Sequence, residues 1–167
     1  LKYDFQIISS GGTFKLLKQH FKSNNIISVE EYTGSPEMLG GRVKTLHPKI
    51  HGGILAREND SDLNDLLKYN INPFDLVVCN LYPFKKVISG NHTHDDAIEN
   101  IDIGGVTLIR SSFKNYKYVT ILTDTNDYRE YIDNFNNIIT DNDNKICFNK
   151  KYALKAMEHI SDYDSNI

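Results

Sequence analysis

The run Asp75–Leu81 (DLVVCNL) constrains this chain more than any other stretch. It is short, almost wholly apolar and rich in β-branched residues, and Pro83 stops it. That pattern reads as a strand buried on both faces, the kind found in parallel sheets covered by helices. Weaker strand-like runs occur at Phe5–Ile8, Ile26–Val29 and Lys117–Thr123, and Ile54-Leu55-Ala56 is apolar again. Between them lie segments of helical character at Phe14–Phe21, Ser61–Tyr69, Thr93–Asn100, Gly104–Lys114, Asp127–Phe135 and Ile146–Tyr163. Asp60 or Ser61 caps the second of these, and Thr93 with Asp96 forms a capping box on the third. The last helix sets Ala153, Ala156, Met157 and Ile160 on one face. Glu30–Pro48 reads as a long polar loop and Ile138–Asn144 as a surface loop. The alternation predicts an α/β fold, three layers deep, with a parallel sheet flanked by helices.

At 167 residues the chain suits one domain with one core. The net charge of −3 gives no bulk attraction to nucleic acid or an anionic membrane, so neither is expected as a partner. No apolar run approaches the roughly 20 residues of a membrane span, and no signal peptide is read in the charged, aromatic stretch after Leu1. Cys79 and Cys147 are too few and too far apart for a disulfide framework, which points to a reducing cytoplasm.

Four segments carry groups suited to chemistry. Ser9-Ser10-Gly11-Gly12-Thr13 joins a strand to a helix, where free backbone N–H groups and the helix dipole attract an anion. Taken by itself this tract reads slightly better as an ordinary turn with a cap, since S-G-G-T is a weak signal. Gly40-Gly41-Arg42-Val43-Lys44-Thr45-Leu46-His47-Pro48 sets two cations and a hydroxyl directly after two glycines, which suits anion capture better than mere solubility. Asn80 and Tyr82 follow the best strand, at the end where open α/β sheets bind ligands; Tyr82 could equally just cover the sheet edge. Asp102 precedes the Gly104–Lys114 helix, and Lys114 lies at its far end. Capping and dipole effects account for both, so a functional role requires the two side chains to meet across one pocket.

His47 with His51, and the group His92, His94, Asp95 and Asp96, have spacings that suggest metal ligands, yet no metal site is expected. Pro48, Gly52 and Gly53 argue against a ligand-bearing helix at the first pair, and the second reads as a solvated loop leading into the Thr93 cap. Cys79, beside Val77 and Val78, reads as buried strand core and not as a nucleophile.

Together these segments resemble one family. YTGSPEMLGGRVKTLHPKIHGGILA (Tyr32–Ala56), CNLYPF (Cys79–Phe84), ENIDIGGVTLIR (Glu99–Arg110), the pair Lys114-Asn115 and ALKAMEHISDYD (Ala153–Asp164) are similar to the IMP cyclohydrolase region of the bifunctional AICAR transformylase/IMP cyclohydrolase family. A string as long as GGRVKTLHP is highly specific. The resemblance implies a methylglyoxal-synthase-like fold, a homodimer, and closure of formyl-AICAR to IMP with loss of water, without a metal or organic cofactor. It implies nucleotide contacts from Ser10, Gly11, Gly12, Thr13, Arg42, Val43, Lys44, Thr45, Cys79, Asn80, Asp102 and Ile103. Lys114 matches the family's proton-transfer lysine; because such a ring closure wants two groups that exchange protons, Asp102 is read as its partner, and Lys44 and Tyr82 as groups that stabilise negative charge on the formyl oxygen. Ser111, Ser112 and Phe113 stand where the family usually has three alanines, and Phe113 is bulkier.

The family also implies a strand and a phosphate-binding loop before this segment and a transformylase domain after it, and neither is seen here. The chain is therefore expected to be an incomplete cyclohydrolase domain that folds poorly and turns over slowly by itself. Two other readings of the fold are a regulatory module that binds a phosphorylated effector without catalysis, and methylglyoxal synthase. The strings GRVKTLHP and CNLYPF do not suit the latter.

Overall fold

The computed structural model describes residues 5–167. Four strands and nine α-helices occur among them, in the order β1 (Ile7–Ser9), α1 (Gly11–His20), β2 (Ile26–Ser28), α2 (Val29–Thr33), α3 (Pro48–Leu55), α4 (Asp60–Lys68), β3 (Leu76–Val78), α5 (Phe84–Ile88), α6 (His94–Glu99), α7 (Gly104–Lys114), β4 (Thr120–Leu122), α8 (Tyr128–Thr140) and α9 (Asn142–Asp164). The α/β alternation and the parallel pairing agree with the sequence. The single sheet does not. β1 pairs with β2, Ile7 opposite Ile26, and β3 pairs with β4, Leu76 opposite Thr120, as two separate parallel ladders. Among the described residues no strand joins the ladders, so β1 and β3 each pair along one edge only.

Helices hold the two ladders together. Val29, Ile50, Ile54 and Val119 form a buried cluster that Ile8 and Val77 also touch, so side chains from both strand pairs meet in it. A second cluster joins Ile109 of α7, Ile121 of β4, and Ala156 and Ile160 of α9. A third, aromatic cluster packs Tyr131, Phe135, Ile138 and Tyr152 against Leu122. Residues 121 and 122 serve different clusters, as the two-residue period of a strand requires.

Several stretches depart from the sequence-based expectation. The expected Glu30–Pro48 loop opens with α2, capped by Ser28, whose side chain accepts from Glu31 N at 3.0 Å. Helix α3 runs through Gly52 and Gly53 and contains the Ile54-Leu55 run, so the glycines do not prevent a helix there. They permit it to pack: a Cβ on Gly53 would lie 2.5 Å from Asn72 O. Pro48 sits in its first turn, where a missing N–H costs nothing, and His47 caps it by accepting from Lys49 N at 3.1 Å. Asn59, not Asp60 or Ser61, caps α4 by accepting from Asp62 N at 2.9 Å. The Thr93–Asp96 capping box is present as expected. The expected Asp75–Leu81 strand is shortened to β3, which ends at Val78 well before Pro83. It is only partly buried, with Val78 half exposed, because no further strand covers its other edge among the described residues. Pro83 instead opens the unexpected short helix α5.

The expected loop Ile138–Asn144 is the junction of two helices. Ile138 continues the buried face of Tyr131 and Phe135, so α8 extends to Thr140. Asp141 then accepts from Asp143 N and Asn144 N and starts α9 at once. On α9, Ala153, Ala156 and Ile160 are buried as expected, whereas Met157 is half exposed. The buried Asn149 links that helix to the sheet: Thr120 Oγ1 donates to Asn149 Oδ1 at 2.6 Å, and Asn149 Nδ2 donates to Tyr116 O at 2.8 Å.

Replacing Asn149 with alanine strands a hydroxyl and a carbonyl in the core. Asn149→Ala is expected to lower unfolding stability by about 2 kcal/mol, measured by urea denaturation. An unchanged midpoint would show that water replaces the lost amide.

Candidate functional site

The turn after β1, the loop 40–45 and the start of α7 approach one another. Ser10 stands at the N-cap of α1 with no hydrogen bond from its side chain to that helix end, and Gly11 follows with φ +54°. Next to Gly11 lies Lys44: a Cβ on Gly11 would be 3.6 Å from Lys44 Nζ. Lys44 comes from a tight loop closed by Met38 N to Val43 O (3.3 Å) and Val43 N to Met38 O (3.4 Å). Leu39, Gly40 and Gly41 all take positive φ there, at 54°, 65° and 96°. Glu37 pairs with Lys44, Oε1 to Nζ at 3.1 Å. Glycine suits position 41 because its φ of 96° strains any other residue, and a Cβ there would also push the ends of the Glu37 and Lys44 side chains aside. Two residues before Lys44, Arg42 is exposed and paired with Glu99 at the end of α6, Nε donating to Oε1 at 3.4 Å beside a second, shorter bond. The carboxylate raises the Arg42 pKa further and holds its own below the usual range.

Thr45 carries this loop to the start of α7. Its Oγ1 would lie 2.7 Å from a Cβ on Gly104. A Cβ on the neighbouring Gly105 would meet Asp102 Oδ2 at 2.7 Å and Leu81 Cδ2 at 2.8 Å. Asp102 is not the formal N-cap, a position taken by Ile103, but its Oδ1 accepts from Gly105 N at 2.7 Å. Its own N–H donates to Tyr163 Oη at 2.7 Å. Cys79 donates to Gly105 O at 3.7 Å; burial, and after it the charge of Asp102, push this thiol up to about 12. Asn80 is held by two bonds: Nδ2 donates to Thr123 O at 2.9 Å, and Oδ1 accepts from Tyr128 Oη at 3.0 Å. Tyr82 and Ile103 are mostly exposed beside them.

The structure thus links Gly11, Lys44 and Thr45 with Gly104, Asp102 and Cys79 through direct contacts. Lys114 is not among them. It ends α7, ten residues beyond Gly104, which at 1.5 Å per residue is about 15 Å along the axis. At that end Asn115 Nδ2 donates to Ile54 O and Ala56 O, both at 2.8 Å, while Phe113 packs into the core against the Ile109 cluster. Asp102 and Lys114 therefore do not meet across a pocket within one chain. The sequence reading also overlooked Glu37, Glu99, Tyr128 and Tyr163. No local spacing marks them, since the last three meet the site only through long-range folding. His47 and His51 serve packing instead: the first caps α3, and His51 Nδ1 lies 3.0 Å from Ser111 Oγ. Among the described residues no group of three or more His, Cys, Asp or Glu side chains is arranged to hold a metal ion. No helix there is long and apolar enough to cross a membrane.

With these parallel strand pairs and helices, the chain matches the model of the MGS-like domain family over residues 1–107. The AICARFT/IMPCHase bienzyme model matches residues 112–167. The chain belongs to the MGS-like domain family. It is 52% identical over 167 residues to the bifunctional purine biosynthesis protein PurH of Prochlorococcus marinus strain NATL2A, covering 98% of this chain and 31% of that protein. To the PurH of Synechococcus elongatus it is 48% identical over 170 residues, covering 99% of this chain and 32% of the relative. It spans about a third of the length of these relatives. The crystal structure of ForH aligns with a TM-score of 0.78 at 31% identity, over 96% of this chain and 82% of that one.

Two outcomes test the site's geometry. Gly41→Ala forces a Cβ into Glu37 and Lys44 at a positive φ; it should leave the helical signal in circular dichroism unchanged yet weaken phosphate or nucleotide binding more than about tenfold in a titration. With Ellman's reagent at pH 8, the exposed Cys147 should react within the mixing phase, while Cys79, pushed up to about 12, reacts only after denaturation.

Proposed function

We propose that this chain supplies the IMP cyclohydrolase site, closing the ring of formyl-AICAR to IMP with loss of water in purine biosynthesis. The single observation that carries this reading is the contact of GRVKT with SGGT and with the start of the IDIGG helix, through Lys44, Thr45, Gly11 and Gly104. Those are the strings that resemble the cyclohydrolase, and they come from distant parts of the chain. Purine biosynthesis by the matching relatives supports it further.

The carboxamide nitrogen of the substrate is a poor nucleophile. It attacks the formyl carbon and loses a proton while the formyl oxygen gains one; the resulting hydroxyl then takes the proton of a ring nitrogen and leaves as water as the C=N double bond forms. Lys44 and Tyr82 stabilise negative charge on the formyl oxygen, as preorganised donors do. Asp102, held by Gly105 N, takes the proton. General acid–base help of this kind is worth roughly 100- to 10,000-fold. Ser10, Gly11, Gly12, Thr13, Arg42, Val43 and Thr45 bind the anionic part of the nucleotide, and Cys79, Asn80 and Ile103 its remainder. The reading needs no metal and no organic cofactor. Lys114 takes part only from a second copy of the chain, in the expected homodimer. The separation of the two strand ladders supports the related expectation that a preceding strand and loop complete this domain.

The separation of Lys114 from Asp102 favours one second reading, a module that binds a phosphorylated ligand without turnover. An absorbance assay of IMP formation, with and without an N-terminal extension taken from a relative, decides between them: turnover supports the cyclohydrolase, and IMP binding without turnover in either form supports the module. Lys44→Ala is expected to lose most turnover; near-normal turnover would remove Lys44 from the mechanism. Mixing Lys44→Ala with Lys114→Met is expected to regain about a quarter of full activity if Lys114 acts across a two-fold dimer, because half the dimers are mixed and each has one intact site. Lys114→Met that is active by itself would place Lys114 outside the reaction, and no regain from two inactive variants would rule out its action across the dimer.

A further inference from the structure

Resting on the cyclohydrolase reading, we infer that Tyr128, anchored through the start of α8 by Lys155, is a positioning residue that fixes the Asn80 side-chain amide and so sets how tightly the base-bearing part of the nucleotide is held. Asn80 has four hydrogen-bonding sites on its amide, two N–H and two lone pairs. Thr123 O takes one N–H at 2.9 Å, and Tyr128 Oη occupies one lone pair at 3.0 Å. With both ends held, the amide cannot flip, and one donor and one acceptor remain in defined places. Such a pair matches an amide-like edge, an N–H next to a C=O, which a carboxamide or a hypoxanthine ring presents.

Tyr128 is itself held from two sides. Its ring is partly buried against the cluster of Leu122, Tyr131 and Phe135. The turn Thr125–Asp127 that precedes it is pinned to α9: Lys155 Nζ donates to both oxygens of Asp127 at 2.7 and 2.8 Å and to Asp124 Oδ2 at 3.2 Å. Asp124 Oδ1 in turn accepts from Asn126 N at 2.9 Å. Burial raises the Tyr128 hydroxyl above the ordinary tyrosine range, so it stays protonated and remains a donor. Ordering Asn80 before the ligand arrives lowers the entropy that binding must supply.

Tyr128→Phe in the intact polypeptide keeps the ring packing and removes only the donor. The KM and the dissociation constant for IMP should rise roughly five- to tenfold while kcat changes less than twofold. In an Asn80→Ala background the same substitution should add nothing. Independently of any ligand, the Asn80 side-chain amide should give two sharp NMR signals in the unsubstituted protein and exchange-broadened ones in Tyr128→Phe. Unchanged affinity with unchanged amide signals would overturn the inference, as would a Tyr128→Phe penalty that persists without Asn80. Failure of the unsubstituted protein to bind IMP would overturn the cyclohydrolase reading instead, and the amide signals would then decide the clamp by themselves.

Discussion

The close approach of α7, β4 and α9 is the contact on which the rest of this structure depends. Ile109 and Ala156 are both completely buried where the two helices meet over Ile121. Alanine at 156 lets the backbones come near, and interiors packed to this density do not accept a larger side chain without moving an element. The polar half of the same junction is Asn149, which satisfies Thr120 and the Tyr116 carbonyl together. Two-stranded ladders are marginal by themselves. Here the helices, and α7 above all, supply the burial that short strands cannot.

Fixing α7 fixes the site, because the helix begins in it. Gly104 and Gly105 act there less as flexible residues than as absences of a side chain: one leaves room for Thr45, the other for Asp102 and Leu81. The electrostatics are likewise local. Both cations of the GRVKT loop already have carboxylate partners, Glu37 on Lys44 and Glu99 on Arg42. An incoming anion competes with these carboxylates rather than filling bare positive charge, so the acidic net balance of the chain says little about the site. The Arg42–Glu99 pair is largely in solvent, where such an interaction is weak and readily exchanged, whereas the Lys44–Glu37 pair is mostly shielded.

The sequence disclosed what is encoded within a few residues. The capping box at Thr93, the start of a helix at Gly104 and the buried stripe of α9 rest on local bonds and on period, and each appears in the structure. It misled where a local rule meets a tertiary reason. The pair Gly52-Gly53 reads as a helix breaker, yet the helix continues because Asn72 and Phe74 press against it. The polar tract from Ile138 to Asn144 reads as loop, but Ile138 completes a helical face whose period is visible only when Tyr131 and Phe135 are counted with it. In the site, the glycine-flanked loops were legible, because glycine and cation spacing is local. Glu99, Tyr128 and Tyr163 were not, since each meets its partner across dozens of intervening residues, a relation that periodicity cannot encode.

Lys114 shows where resemblance and geometry part. As the last residue of α7 it meets the negative end of the helix dipole, and that alone is a sufficient local reason for a cation. Its neighbours are structural: Phe113 fills the core, and Asn115 ties the helix end to the carbonyls that close α3. A helix held at both ends is stiff, and side chains on it lean toward its N-terminus by only a fraction of its length. The lysine stem therefore cannot bridge the axial distance to Asp102 while α7 keeps its packing. Any chemistry it shares with Asp102 has to come from the α7 of another copy, and the question passes from the shape of this chain to the symmetry of its assembly.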